Sequence, residues 1–95
     1  MNVTFQSRAE VALRSLDAQD RGKVEAMLRV LETSDFQELA RSNRLLKLQQ
    51  STDVDLYALR VNPRLRIVVS LQNRTIIVED IVPRNRVDRL IRDRR

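Results

Sequence analysis

Ninety-five residues, 42% hydrophobic and 33% charged, bound one folded soluble domain with a single modest core, and no apolar run is long enough to span a bilayer. The net charge is +5, and the chain has no histidine, no cysteine and a single glycine, Gly22. That composition removes zinc sites of the usual kind, Ser-His-Asp triads, Cys-His nucleophiles, disulfide frameworks and Gly-rich phosphate loops.

With no signal-peptide pattern at the start, a cytoplasmic protein without metal or cofactor is expected. No internal repeat or linker divides the chain, so residues 1–95 read as one domain. Charge is unevenly placed along it. Residues 1–55 hold eight Lys/Arg against nine Asp/Glu, whereas residues 56–95 hold ten Arg against four Asp/Glu. The cationic half is where a polyanion or an acidic partner would bind, and sixteen of the eighteen basic residues are Arg, the side chain suited to bidentate phosphate contacts.

In chain order, Val3 and Phe5 alternate with polar neighbours and predict a short first strand. Ser7-Arg8-Ala9-Glu10 has the form of a capping box, followed by Ala9, Ala12, Leu13 and Leu16 on one helical stripe. Asp17 or Asp20 caps a second helix, whose Val24, Met27, Leu28 and Leu31 repeat the spacing. Two such helices joined by a few residues predict a helical hairpin with both stripes in the core. Residues 34–44 read as polar and irregular, anchored by Phe36 and Leu39. Leu45-Leu46-Lys47-Leu48-Gln49 reads as a strand; with Leu46 and Leu48 facing the helices, Lys47 falls on the opposite face. Residues 51–53 form a turn.

From Leu56 to Arg86, three runs rich in Val, Ile and Leu are separated by Asn62-Pro63-Arg64 and Gln72-Asn73-Arg74, as expected of an antiparallel meander. Tyr57, Leu59, Val61, Leu65, Ile67 and Val69 share one parity and form the core face, while Arg60 and Arg66 take the other. A three-residue loop at 62–64 pairs Val61 with Leu65 and sets Arg60 opposite Arg66; a two-residue loop would turn Arg66 onto the apolar face. Like charges opposed across a ladder are unfavourable. The pair therefore serves an anion such as phosphate, or else a carboxylate such as Asp80 neutralises it. After Pro83, the residues Val87, Leu90 and Ile91 predict a short terminal helix, with Arg89, Arg92, Arg94 and Arg95 as a basic, solvated end. The whole reads as α+β: an N-terminal helical hairpin on one face of a small antiparallel sheet, the other face open and bearing Lys47, Arg60 and Arg66.

The run Leu56-Tyr57-Ala58-Leu59-Arg60-Val61-Asn62, with Arg66-Ile67-Val68-Val69, Thr75-Ile76-Ile77-Val78 and Pro83-Arg84, resembles the RelE/ParE superfamily of toxins from bacterial toxin–antitoxin pairs, most of all its RelE/HigB branch. The order of elements resembles it over nearly the whole chain. The resemblance implies a RelE/ParE-like fold and a ribosome-dependent endoribonuclease, in which the ribose 2′-hydroxyl of mRNA attacks the adjacent phosphate. By position it makes Arg66 and Arg84 phosphate clamps and Arg60 and Arg86 supporting cations. Pro83 stands where the family's usual His lies, and no Tyr occupies the C-terminal region, so Lys47 is the candidate base. The implied partners are an acidic antitoxin, in a complex that can be of higher order, together with the ribosome and mRNA. A ParE-like gyrase inhibitor and a non-catalytic antitoxin-binding module are the alternatives.

Overall fold

The computed structural model describes residues 2–41, 45–49 and 56–87. Strand β1 (Asn2–Phe5) leads into helices α1 (Ser7–Ser15), α2 (Ala18–Thr33) and α3 (Phe36–Arg41); strands β2 (Leu45–Gln49), β3 (Leu56–Asn62), β4 (Leu65–Gln72) and β5 (Thr75–Pro83) follow. A helical turn, α4 (84–87), closes the described chain. The turn expected at 51–53 and the continuation of the terminal helix through Leu90 and Ile91 lie outside the described residues.

The sheet order is β1-β5-β4-β3-β2. The meander β2 to β5 is antiparallel as expected, but the sheet is mixed, because β1 lies parallel to β5, Val3 beside Ile76 and Phe5 beside Val78. A parallel neighbour needs a long crossover, and the three helices between β1 and β2, with the meander after them, supply it.

The expected capping box does not form. Gln6 is the N-cap of α1, without a side-chain cap, and Ser7 is already helical. The cause is the sheet: the Gln6 amide donates to the Val78 carbonyl at 3.0 Å, which holds Gln6 extended (φ −75°, ψ 151°) and starts the helix one residue early. Asp17 does cap α2, its carboxylate accepting from the Asp20 amide at 2.8 Å. Arg21 reaches back to the Leu16 carbonyl at 2.8 Å and satisfies the end of α1. The segment expected to be irregular holds α3 instead, started by Asp35, whose carboxylate accepts from the Gln37 amide at 3.0 Å. Its Leu39 is buried, as the anchor role required.

Both predicted helical stripes meet the sheet. Ala9, Val24, Met27, Leu28 and Leu31 share one core with Leu59, Leu65, Ile67, Val69, Ile76, Val78 and Ile81, with Ala12, Leu13, Leu16, Tyr57 and Val61 packed around it. The other face is not simply open. Ala58, Val68, Val82 and Val87 form a second small cluster, with Leu48 and Leu56 against it, so α4 lays Val87 over the far side of the sheet. Among the described residues no helix is long and apolar enough to cross a membrane.

Candidate functional site

Two irregularities decide which side chains reach the far face. In the β3–β4 hairpin the loop is the two-residue turn Pro63-Arg64, with Asn62 opposite Leu65, rather than the expected three-residue loop. A bulge between Arg60 and Asn62 absorbs the extra residue, Val61, and restores the expected pairing of Arg60 with Arg66. Asn62 fixes the turn: its side-chain oxygen accepts from the Arg64 amide at 2.9 Å, and its amide group donates to Asp20 of α2 at 3.4 Å. In the β4–β5 ladder, Val68 faces Asp80 and Val69 faces Val78, leaving Glu79 as the extra residue. The strand's alternation breaks there, and Glu79 and Asp80 both line the far face, joined by Arg8, Arg86, Leu56, Val68 and Val82 around a groove of about 390 Å³.

Cross-strand partners have Cβ atoms about 4.5–5.5 Å apart, so the Arg60 and Arg66 side chains leave the sheet from adjacent positions. Arg66 is half-buried, and its Nη1 donates to the Asn62 carbonyl at 2.6 Å and to the Leu65 carbonyl at 3.0 Å. These bonds aim the side chain at the mouth of the hairpin. On the next strand Arg66 faces Val82 and Leu65 faces Pro83, so the start of α4 follows at the same end of the sheet. The Arg84 amide donates to the Arg64 carbonyl at 2.8 Å and ties α4 to the turn. Pro83 is tolerated at the end of β5 because the β1 ladder has stopped at Val78. Arg60, Arg84 and Arg86 are exposed.

Lys47 does not join this group. It pairs with Tyr57, and its neighbour Leu45 packs with the helix-side core, so β2 has the parity opposite to the expected one. Leu46 and Leu48 point to the far side, where Leu48 meets the second cluster and Leu46 stays 52% exposed. The Lys47 ammonium lies 5.9 Å from the Tyr57 ring centroid. Both parities place leucines on a partly apolar face, so the period alone could not separate them.

Three features of the site escaped sequence reasoning. Glu79 and Asp80 are neighbours that normal alternation would place on opposite faces. Ser70, fully buried, donates to Glu79 Oε2 at 2.7 Å and holds that carboxylate in the groove. Asp80 accepts from the Ile81 amide at 2.8 Å and sits opposite Val68, two pairs along the ladder from Arg66 and on the same face, which makes it a diagonal neighbour of that arginine. A consecutive Glu-Asp inside a Val/Ile strand was the available signal for a bulge. Among the described residues no cluster of His, Cys, Asp and Glu could hold a metal ion.

A mixed five-stranded sheet with helices packed on one side and arginines at one end of the other defines the RelE-like α+β fold. The chain superposes on RelE in the archaeal RelE–RelB complex from Pyrococcus horikoshii OT3 with a TM-score of 0.71 and 24% identity, covering 90% of this chain and 96% of the other. YafQ from E. coli strain BL21(DE3) matches with a TM-score of 0.66 and 14% identity over 90% of this chain and 96% of its own. The intact E. coli RelBE toxin–antitoxin complex matches with a TM-score of 0.56 and 20% identity over 85% of this chain and 93% of the matched chain. At these identities the likeness establishes the fold. No family model matches the sequence, and no curated protein matches it closely.

Proposed function

We propose that this chain is the toxin of a toxin–antitoxin pair and that it acts as a metal-independent endoribonuclease on mRNA at the ribosome. The observation that carries the reading is the Arg60–Arg66 cross-strand pair, held together by a bulge and placed beside the anchored start of α4 with Arg84. Neighbouring guanidiniums suit a phosphate, and a phosphodiester passing to a phosphorane gains charge where such donors act most strongly. Arg66 and Arg84 take the clamp roles, with Arg60 and Arg86 as supporting cations. Glu79 and Asp80, the carboxylates that line the far face beside Arg86, are the groups available to accept the 2′-hydroxyl proton. Lys47 is left out of this set because its strand register carries it to the helix side. Two of the similar structures are complexes, RelE–RelB and RelBE, which supports a proteinaceous antitoxin as partner.

The test is induced expression in a bacterial host with mapping of mRNA ends. Translation arrest with breaks inside translated codons is expected of the wild type. Arg66→Ala should lower cleavage by about 10²–10³-fold, the effect of removing one donor to a developing oxyanion. Because Arg66 also bonds the hairpin carbonyls, the comparison is made at equal soluble expression, with Arg84→Ala as the second variant. Full toxicity of both variants sinks the clamp assignment. Filamentation with DNA damage and intact mRNA would instead indicate a gyrase target.

A further inference from the structure

The arginine end of the sheet has a neighbour that the phosphate reading leaves unused. Pro63, Arg64, Pro83, Arg84 and Asn85 surround a depression of about 320 Å³ beside the β3–β4 turn, all five residues being exposed. Its walls are fixed by the backbone. Leu65 pairs with Pro83, the Arg84 amide donates to the Arg64 carbonyl at 2.8 Å, and the Asn62 side chain accepts from the Arg64 amide at 2.9 Å. Two proline rings offer rigid apolar surfaces that lose little entropy on contact, and arginine guanidiniums stack on aromatic planes. Asn and Arg are the side chains that read purines through N7 and the adjoining exocyclic group, Asn on adenine and Arg on guanine. Arg66, whose guanidinium is bonded to the carbonyls of this same turn, lies alongside.

We propose that this depression is a base-binding subsite that takes a purine from the single RNA strand whose phosphates lie on Arg60, Arg66 and Arg84. The inference rests on the RNA reading above and adds to it a specificity element. Pro63 and Pro83 form the plates, Asn85 selects adenine and Arg64 selects guanine. A flexible single strand presents one base per phosphate, so a base pocket beside a phosphate clamp is the arrangement through which a sequence-blind charge cluster acquires a preference.

The experiment measures binding of the purified full chain to four fluorescent RNA octamers at low salt: oligouridine, and oligouridine with one central A, G or C. The wild type should bind the A- and G-containing octamers about tenfold more tightly than the other two. Asn85→Ala should remove the advantage of A while keeping that of G, and Arg64→Ala should do the reverse, apart from a uniform loss of affinity. Pro63→Ala should weaken both purine octamers towards the level of oligouridine. Equal wild-type affinity for all four, or purine preferences unchanged in the Asn85 and Arg64 variants, overturns the subsite while leaving RNA binding in place. A wild type that binds none of the octamers also overturns the subsite, which requires the free chain to hold a base, whereas the ribosomal reading stands or falls on the mapping of mRNA ends.

Discussion

Arg74 occupies the second position of the two-residue β4–β5 turn with φ 64°, after Asn73 at φ 49°. Two successive left-handed residues make this a type I′ hairpin turn, where Asn is well suited first and Gly second. A side chain in that conformation costs about 1–2 kcal/mol, partly offset in Arg74→Gly by the greater freedom of glycine in the unfolded chain. Arg74→Gly should therefore raise stability by about 0.5–1 kcal/mol, read as a higher denaturant midpoint at constant slope. Ser70 gives the opposite expectation. Its hydroxyl is buried and bonds the Glu79 carboxylate at 2.7 Å, so Ser70→Ala takes a donor from a half-buried charge. A cost of about 1–2 kcal/mol is expected, because Glu79 can recover some solvation by turning outward. A Ser70→Ala protein as stable as the wild type would mean that the bond contributes nothing net.

Gly22 shows what the elements leave unoptimised. It lies inside α2, exposed, and a Cβ built on it meets no atom within 4 Å. Gly22→Ala should stabilise the protein by about 1 kcal/mol, the propensity difference in an open helix interior, and thermal unfolding should shift upward by a few degrees. At this scale the sequence was legible where one period dominated. The stripes of α1 and α2 and the odd-parity face of β3 and β4 are single-sided patterns, and all of them found the main core. It failed where two faces were apolar or where long-range contacts acted. The far face carries its own cluster under Val87, so the leucines of β2 suited either parity, and Lys47 was misplaced. The parallel pairing of β1, which also displaced the expected cap at Ser7, depends on residues some seventy positions away. The opposition of Arg60 and Arg66 was right although the loop was wrong, because burying Leu59, Ile67 and Val69 constrains register more strongly than turn length does. Glu79 was missed because a bulge is a local exception that the period cannot announce.

For the molecule as a whole, the +5 charge matters through its placement. Arg60, Arg66 and Arg84 are gathered by β3, β4 and the start of α4 at one end of the sheet, and Arg86 lies on the same face beside Glu79 and Asp80, whereas the acidic residues of α1, α2 and α3 lie on the helical side. Such separation steers a polyanion to one surface and makes its binding depend on salt. For a single-stranded nucleic acid, the logarithm of affinity falls with the logarithm of salt concentration by about 0.7 for each phosphate neutralised. If all four arginines contact phosphates, converting them to glutamine should weaken RNA binding at low salt and lower the slope by close to 3, while circular dichroism and the unfolding midpoint change little beyond the loss of the Arg66 hairpin bonds. Removing Arg14, Arg29 and Arg41 from the helical side by the same substitution should leave the slope nearly unchanged, because those side chains stand away from the arginine face. Equal reductions in slope for the two sets would mean that RNA is held by diffuse charge, and the arrangement of Arg60 opposite Arg66 would then need another explanation.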